Sequence, residues 1–75
     1  MKIQILGPGC QNCEKLAKNA AEACKAKGID CEIVKITDIK EIMNFGVMQT
    51  PGLAVDGKVK SVGRVLSAAD IEKLL

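Results

Sequence analysis

Apolar residues follow strand-like and helix-like spacings along this chain, and these spacings predict its first elements. The apolar run from Ile3 to Leu6 predicts a short buried strand, which Gly7 and Pro8 end. From about Gln11 to Lys27, apolar residues recur three and four positions apart, as on the buried face of an amphipathic helix. Gly28 is a typical residue at the end of such a helix. The residues that we assign to its buried face are Cys13, Leu16, Ala17, Ala20, Ala21 and Cys24.

The middle of the chain predicts a second strand and a second helix. Residues Ile29 to Ile36 combine apolar and charged side chains in a pattern that suits a strand. Two strands that are joined through a helix in this way pair in parallel, and the connection between them is right-handed. Asp38 and Glu41 then form a capping pair for a short helix that ends at Gly46, with Thr37 as an equally good start.

The last third of the chain carries its clearest turn signal. Asp56 and Gly57 lie between the extended runs Leu53 to Val55 and Lys58 to Val62, a pattern typical of a two-residue type I′ hairpin. Ser67 then caps a final helix. The resulting order, β-α-β-α-β-β-α, predicts an α/β fold in which three helices flank a four-stranded mixed sheet.

Length and composition predict one small domain and exclude several classes of partner. The 75 residues form a single domain, residues 1–75, and its core must be aliphatic because Phe45 is the single aromatic residue. A net charge of +2, lysines interleaved with acids and the lack of Trp and Tyr argue against a nucleic-acid partner. No stretch approaches roughly 18 apolar residues and no signal region precedes Gly7. We therefore expect a cytoplasmic monomer without a membrane partner.

Cys10 and Cys13, at the predicted strand-to-helix turn, are the candidate site. Cys10 follows a Gly-Pro-Gly loop and falls at the start of the helix, where unpaired N–H groups and the helix dipole favour a thiolate. Cys13 lies one turn further in, behind it. Dithiol exchange requires one exposed nucleophilic sulfur and one resolving sulfur. In a reducing compartment, where structural disulfides are rare, the spacing therefore favours a catalytic pair.

A soft metal ion is the alternative ligand for the same two sulfurs. Two thiolates can hold Cu(I), and copper-chaperone domains have a similar length and the same Cys-x-x-Cys spacing after their first strand. Those domains run β-α-β-β-α-β and end on a strand, whereas the order predicted here ends on a helix. This chain also has Pro8, not Met, two positions before Cys10. We expect thiol-disulfide exchange with no cofactor and no metal, and keep soft-metal binding or transfer as the alternative.

Two further cysteines and two methionines follow less specific patterns. Cys24 falls on the apolar helical face and Cys31 opens a strand, so we expect both to be small buried apolar residues. A second disulfide or a four-cysteine zinc site is the alternative, although the chain has no histidine and no second Cys-x-x-Cys. We expect Met43 and Met48 to fill the core, with an adaptable binding surface as the alternative.

Thr50 and Pro51 lie directly before the third predicted strand, where proline is allowed at the first strand position. At this point the chain resembles the thioredoxin-fold superfamily, and most of all its small thioredoxin-like redox-active disulfide proteins, which are glutaredoxin-sized. The resemblance covers nearly the whole chain, through Cys10-Gln11-Asn12-Cys13, Gly46-Val47-Met48-Gln49-Thr50-Pro51, Asp56-Gly57 and Gly63.

The resemblance implies a thioredoxin-like fold and a thiol-disulfide oxidoreductase. In that family the proline that matches Pro51 is cis and packs against the active-site disulfide, and the residue that matches Thr50 offers backbone groups to the substrate. The implied partners are a disulfide-containing protein as substrate and a reductase or low-molecular-weight thiol as electron donor. Typical thioredoxins also hold a buried acid beneath the site, and a gapless count from Cys10 puts Gln4 near that position.

Overall fold

The computed structural model describes residues 1–9 and 11–75, and its elements follow the predicted order. Cys10 lies outside the described residues. The elements are β1 (Lys2–Leu6), α1 (Gln11–Lys27), β2 (Glu32–Ile36), α2 (Ile39–Asn44), β3 (Gly52–Val55), β4 (Lys58–Val62) and α3 (Ala68–Glu72).

The four strands form one mixed sheet in the order β2-β1-β3-β4. β1 is parallel to β2, as the strand-helix-strand connection predicts, with Lys2 opposite Glu32 and Leu6 opposite Ile36. β3 is antiparallel to both β1 and β4. The α/β fold with a four-stranded mixed sheet and three helices is thus confirmed, and it is the architecture of a thioredoxin-like domain.

The two faces of the sheet bury separate clusters of aliphatic side chains. Ile3, Ile5 and Leu53 point to one face, where they pack with the buried residues of α1 and with Ile71 of α3. The opposite face carries a smaller cluster of Leu6, Ile42, Val47 and Ala54, of which Ile42 comes from α2. Since alternate residues of a strand point to opposite faces, β1 supplies both clusters. No helix within the described part of the chain is long and apolar enough to cross a membrane.

α1 has the predicted bounds, with one error in its predicted buried face. Ala21 is exposed, and Ala23 is buried in its place, three positions after the buried Ala20. The helix ends in a Schellman motif. There Gly28 has a φ of 68°, its N–H donates to the Lys25 carbonyl at 3.1 Å, and the Ile29 N–H donates to the Cys24 carbonyl at 3.0 Å.

Asp38 and Ser67 cap their helices and the hairpin turn has the predicted type, whereas the Glu41 side chain forms no hydrogen bond with Asp38 within the described residues. The Asp38 carboxylate accepts a hydrogen bond from the Lys40 N–H at 2.9 Å, so Asp38 and not Thr37 begins α2. The Ser67 hydroxyl accepts from the Asp70 N–H at 3.2 Å and caps α3. In the hairpin turn Asp56 has a φ of 51° and Gly57 a φ of 87°, as a type I′ turn requires.

Candidate functional site

The end of β1 and the start of α1 place Cys13 in the interior. Cys13 lies in the first turn of α1 and is 5% exposed. It packs in the larger apolar cluster beside Leu16 and Ala17. Cys10, the predicted nucleophile, lies outside the described residues, so its role stays a prediction.

Gly7 brings Cys13 and Thr50 together. Gly7 follows β1 directly, is buried, and donates its N–H to the Ile36 carbonyl at 2.9 Å. A Cβ atom on Gly7 would overlap the Cys13 Sγ, and it would lie 3.5 Å from the Cys13 Cβ and 3.7 Å from the Thr50 Cβ. Cys13 and Thr50 therefore both lie beside the bare backbone of Gly7. Sequence reasoning used Gly7 only as the end of a strand, because nothing in the sequence shows what approaches it.

The Thr50-Pro51 peptide bond is cis, as the family resemblance predicts. Pro51 is buried and Thr50 is exposed. The N–H of Gly63, which directly follows β4, donates to the Pro51 carbonyl at 2.9 Å. This hydrogen bond joins the segment before β3 to the end of β4. Within residues 1–9 and 11–75, neither the N–H nor the carbonyl of Thr50 forms a hydrogen bond. Thr50 is therefore an exposed residue beside Gly7 whose backbone groups no other described residue engages.

An apolar groove of about 300 Å³ adjoins Thr50. The expectation that its two methionines fill the core is wrong, because Met43 is 58% exposed and Met48 is 81% exposed. Only Ile42 of α2 is buried, and a helix of six residues is too short for its spacing to identify the buried face. The groove is lined by Pro8, Ile39, Ile42, Met43, Val47, Met48 and Thr50, and we call it the methionine groove.

Gln4, which the count from Cys10 places near a buried acid in typical thioredoxins, serves the hairpin turn instead. Its Oε1 accepts a hydrogen bond from the Gly57 N–H at 3.0 Å. Gly57 lies beyond the end of β3 that is opposite to Pro51. Within the described residues no polar or charged side chain is buried. This part of the chain therefore offers no buried carboxylate to exchange a proton with Cys13.

Cys24 and Cys31 form a disulfide, so the expectation that they are separate apolar residues is wrong. The Schellman motif turns the chain back at the end of α1, which brings the two Cα atoms to 6.2 Å, within the range that a disulfide spans. Sequence spacing alone does not reveal this approach. The alternative of a second disulfide, which the sequence left open, is the one found, and its sulfurs are not thiolate ligands for zinc.

Comparison with known proteins gives independent findings. Residues 1–75 match a family described as thioredoxin domain. A protein named thioredoxin from Methanothermobacter thermautotrophicus is 53% identical over 75 residues, which cover 100% of this chain and 97% of the relative. Another protein named thioredoxin, from Methanocaldococcus jannaschii, is 40% identical over 73 residues, which cover 97% of this chain and 84% of the relative. Both similarities thus extend over nearly all of the fold described above.

Proposed function

Because the chain belongs to the thioredoxin family and is a thiol-disulfide oxidoreductase, we propose that Cys10 and Cys13 form the pair that exchanges electrons with protein disulfides. Cys10 is the nucleophile and Cys13 is the resolving cysteine. The observation that carries this assignment is that the buried Cys13 and the exposed Thr50 both lie beside Gly7. A cysteine that is only 5% exposed is poorly placed to attack the disulfide of a large substrate. It is well placed to resolve the mixed disulfide that a neighbouring cysteine forms.

The exchange takes place in two displacements. The Cys10 thiolate attacks one sulfur of the substrate disulfide, a Cys10–substrate bond forms, and the other substrate sulfur leaves as a thiolate that takes a proton. The Cys13 thiolate, having lost its proton to solvent, then attacks the Cys10 sulfur and releases the second substrate sulfur. The substrate has gained two electrons and Cys10 is bonded to Cys13. A reductase or a low-molecular-weight thiol returns the pair to its dithiol form.

Thr50 and the methionine groove hold the substrate beside the sulfurs. An extended substrate segment pairs its backbone with the N–H and carbonyl of Thr50, which have no hydrogen-bond partner within the described residues. Apolar side chains of the same segment enter the groove against Met43 and Met48. Pro51 fixes the loop that presents Thr50, since its carbonyl accepts from Gly63. The domain acts as a monomer in a reducing compartment.

A trapping experiment tests the roles of the two cysteines. The full chain carrying Cys13→Ser is mixed with insulin, a protein with accessible disulfides, and the products are separated without reductant. We expect a covalent mixed disulfide through Cys10, because no resolving thiol releases it. The matched Cys10→Ser chain should give no such adduct and no insulin reduction with dithiothreitol as electron donor. An active Cys10→Ser chain, or no adduct from Cys13→Ser, would contradict the assignment.

The same preparations distinguish electron transfer from metal transfer. Soft-metal binding by Cys10 and Cys13 predicts that anaerobically purified protein holds a stoichiometric thiophilic ion such as Cu(I). It also predicts that either serine variant loses the ion. We expect metal analysis to find less than stoichiometric amounts and insulin reduction to continue in the presence of a chelator. A stoichiometric ion together with absent insulin reduction would favour the metal function.

A further inference from the structure

The Cys24–Cys31 disulfide lies at the opposite end of α1 from Cys13. Cys13 is in the first turn of α1 and Cys24 is close to its last turn. The two residues are eleven positions apart, which corresponds to about 16 Å of helical rise. A sulfur at one site therefore cannot attack the other within one folded molecule. The second disulfide is chemically separate from the pair to which we assign catalysis.

The two cysteines of this disulfide differ in how deeply they are buried. Cys24 is 4% exposed and belongs to the larger core cluster. Cys31 is only partly buried and lines an open surface cavity with Met1, Lys2, Asp30, Glu32 and Asp56. Cys31 also packs against the edge of that cluster, so the cavity is the side from which a small thiolate would approach it. The buried Cys24 is shielded from the same reagent.

The backbone around the disulfide is held by hydrogen bonds that do not depend on the S–S bond. The Schellman bond from Ile29 N–H to the Cys24 carbonyl closes the turn on one side. On the other side the Glu32 N–H donates to the Met1 carbonyl at 2.9 Å, at the start of the parallel pairing of β1 and β2. Breaking the S–S bond therefore leaves Cys24 and Cys31 facing each other, ready to form the bond again.

We propose that Cys24 and Cys31 form a second redox site, reduced and reoxidised in the folded domain by low-molecular-weight thiols and disulfides, with Cys31 as the entry sulfur. A thiolate attacks the Cys31 sulfur, a mixed disulfide with Cys31 forms, and Cys24 leaves as a thiolate that takes a proton. A second thiolate then attacks the small-molecule sulfur and frees Cys31. The domain gains two electrons and the two thiols leave as one disulfide. The oxidation state of Cys24 and Cys31 thus follows the ratio of small thiols to small disulfides around the protein.

A variant that lacks the first pair isolates this site. The full chain with Cys10→Ser and Cys13→Ser is equilibrated in dithiothreitol redox buffers without denaturant, and thiols are trapped by alkylation. We expect a reversible two-electron transition while the circular dichroism of the folded domain is retained. A disulfide that is reduced only after unfolding, or that never forms, would overturn the proposal. Because Cys10 and Cys13 are absent, this result is independent of the function proposed above.

Mapping the unchanged chain provides a second readout if that variant does not fold. Cleavage after lysine separates the cysteines into residues 3–15, 19–25 and 28–35, which hold Cys10 with Cys13, Cys24 and Cys31 respectively. After reduction and a brief alkylation in native buffer, we expect Cys31 to be labelled at least tenfold faster than Cys24. Equal labelling, or faster labelling of Cys24, would contradict entry at Cys31. Labelling in denaturant serves as the control in which both react alike.

Discussion

The sulfur of Cys13 occupies the space that a side chain on Gly7 would need. This contact joins the end of β1 to the first turn of α1, and Thr50 approaches the same glycine from the loop before β3. Three segments that are distant in sequence therefore meet at one residue without a side chain. The proposed redox site therefore requires a residue without a side chain at position 7.

Replacing Gly7 by Ala should impair the site directly. The added Cβ overlaps the Cys13 Sγ, so either the sulfur or the β1 backbone must shift. Overpacking of this kind costs about 1–3 kcal/mol of stability. A displacement of about 1 Å can lower a catalysed rate about 100-fold, so we expect at least a tenfold loss of insulin reduction. Chemical denaturation and the exchange assay measure the two effects.

Gly28→Ala is the matched control for that substitution. A Cβ on Gly28 meets no atom within 4 Å, but its φ of 68° is unfavourable for alanine. We expect a stability loss of about 1 kcal/mol and an unchanged rate of exchange in the folded protein. Equal rate losses in both variants would show that Gly7 acts only through stability.

The methionine groove should matter for protein substrates and not for small ones. Met48→Ser replaces an apolar residue that is 81% exposed in the free domain, so the free energy of unfolding should change by less than about 0.5 kcal/mol. Loss of a contact worth about 1.4 kcal/mol raises KM for insulin about tenfold. The rate with glutathione disulfide should stay the same. Val62→Ser, at an exposed apolar residue outside the groove, is the control and should affect neither substrate.

Elements with strong local signals were predicted well. The bounds of α1 follow from its apolar spacing and from Gly28. The Asp38 cap and the Asp56 hairpin turn follow from residues that act on their own backbone neighbours. The cis state of the bond before Pro51 was expected only through the family resemblance, because most bonds before proline are trans. Local chemistry thus predicted most of the fold.

The errors concern residues whose environment is set by distant parts of the chain. The exposure of Met43 and Met48 depends on how the short α2 lies against the sheet, which no local pattern specifies. The pairing of Cys24 with Cys31 depends on the path of the chain after Gly28. The nearness of Gly7 to Thr50 likewise needs the full topology. Sequence reasoning named these residues and missed the contacts between them.

Shortening the side chain of Ile71 should destabilise the core. This residue of α3 is 0% exposed and packs in the larger cluster with α1 and the sheet. Ile71→Ala should lower the free energy of unfolding by about 2–5 kcal/mol, a large part of the stability of a small domain. Ile39→Ala removes the same atoms from a residue that is 65% exposed, and should cost less than about 1 kcal/mol. Urea denaturation of the two variants measures the difference.

Reduction of the Cys24–Cys31 disulfide should lower stability without unfolding the domain. The bond closes a short loop, since its cysteines are seven positions apart, and the chain-entropy relation gives about 2–3 kcal/mol for that length. The midpoint of thermal unfolding should fall by about 10 °C or more. Thermal unfolding of the Cys10→Ser, Cys13→Ser chain with and without dithiothreitol measures this fall. The same chain with Cys24→Ser should show no response to dithiothreitol.

The sheet order gives the domain a direction-dependent mechanical strength. β1 lies between β2 and β3 and is hydrogen-bonded along both edges, and the proposed site begins directly after it at Gly7. A force applied ahead of Lys2 along this strand must break those bonds together, since they run across the direction of pull. A force applied beyond α3 first detaches a helix of five residues in which Ile71 is the buried one. An unfolding ATPase that pulls on the chain from the α3 side should therefore need less force than one that pulls ahead of Lys2. In that direction β1, which leads to the proposed site, should be among the last elements to unfold.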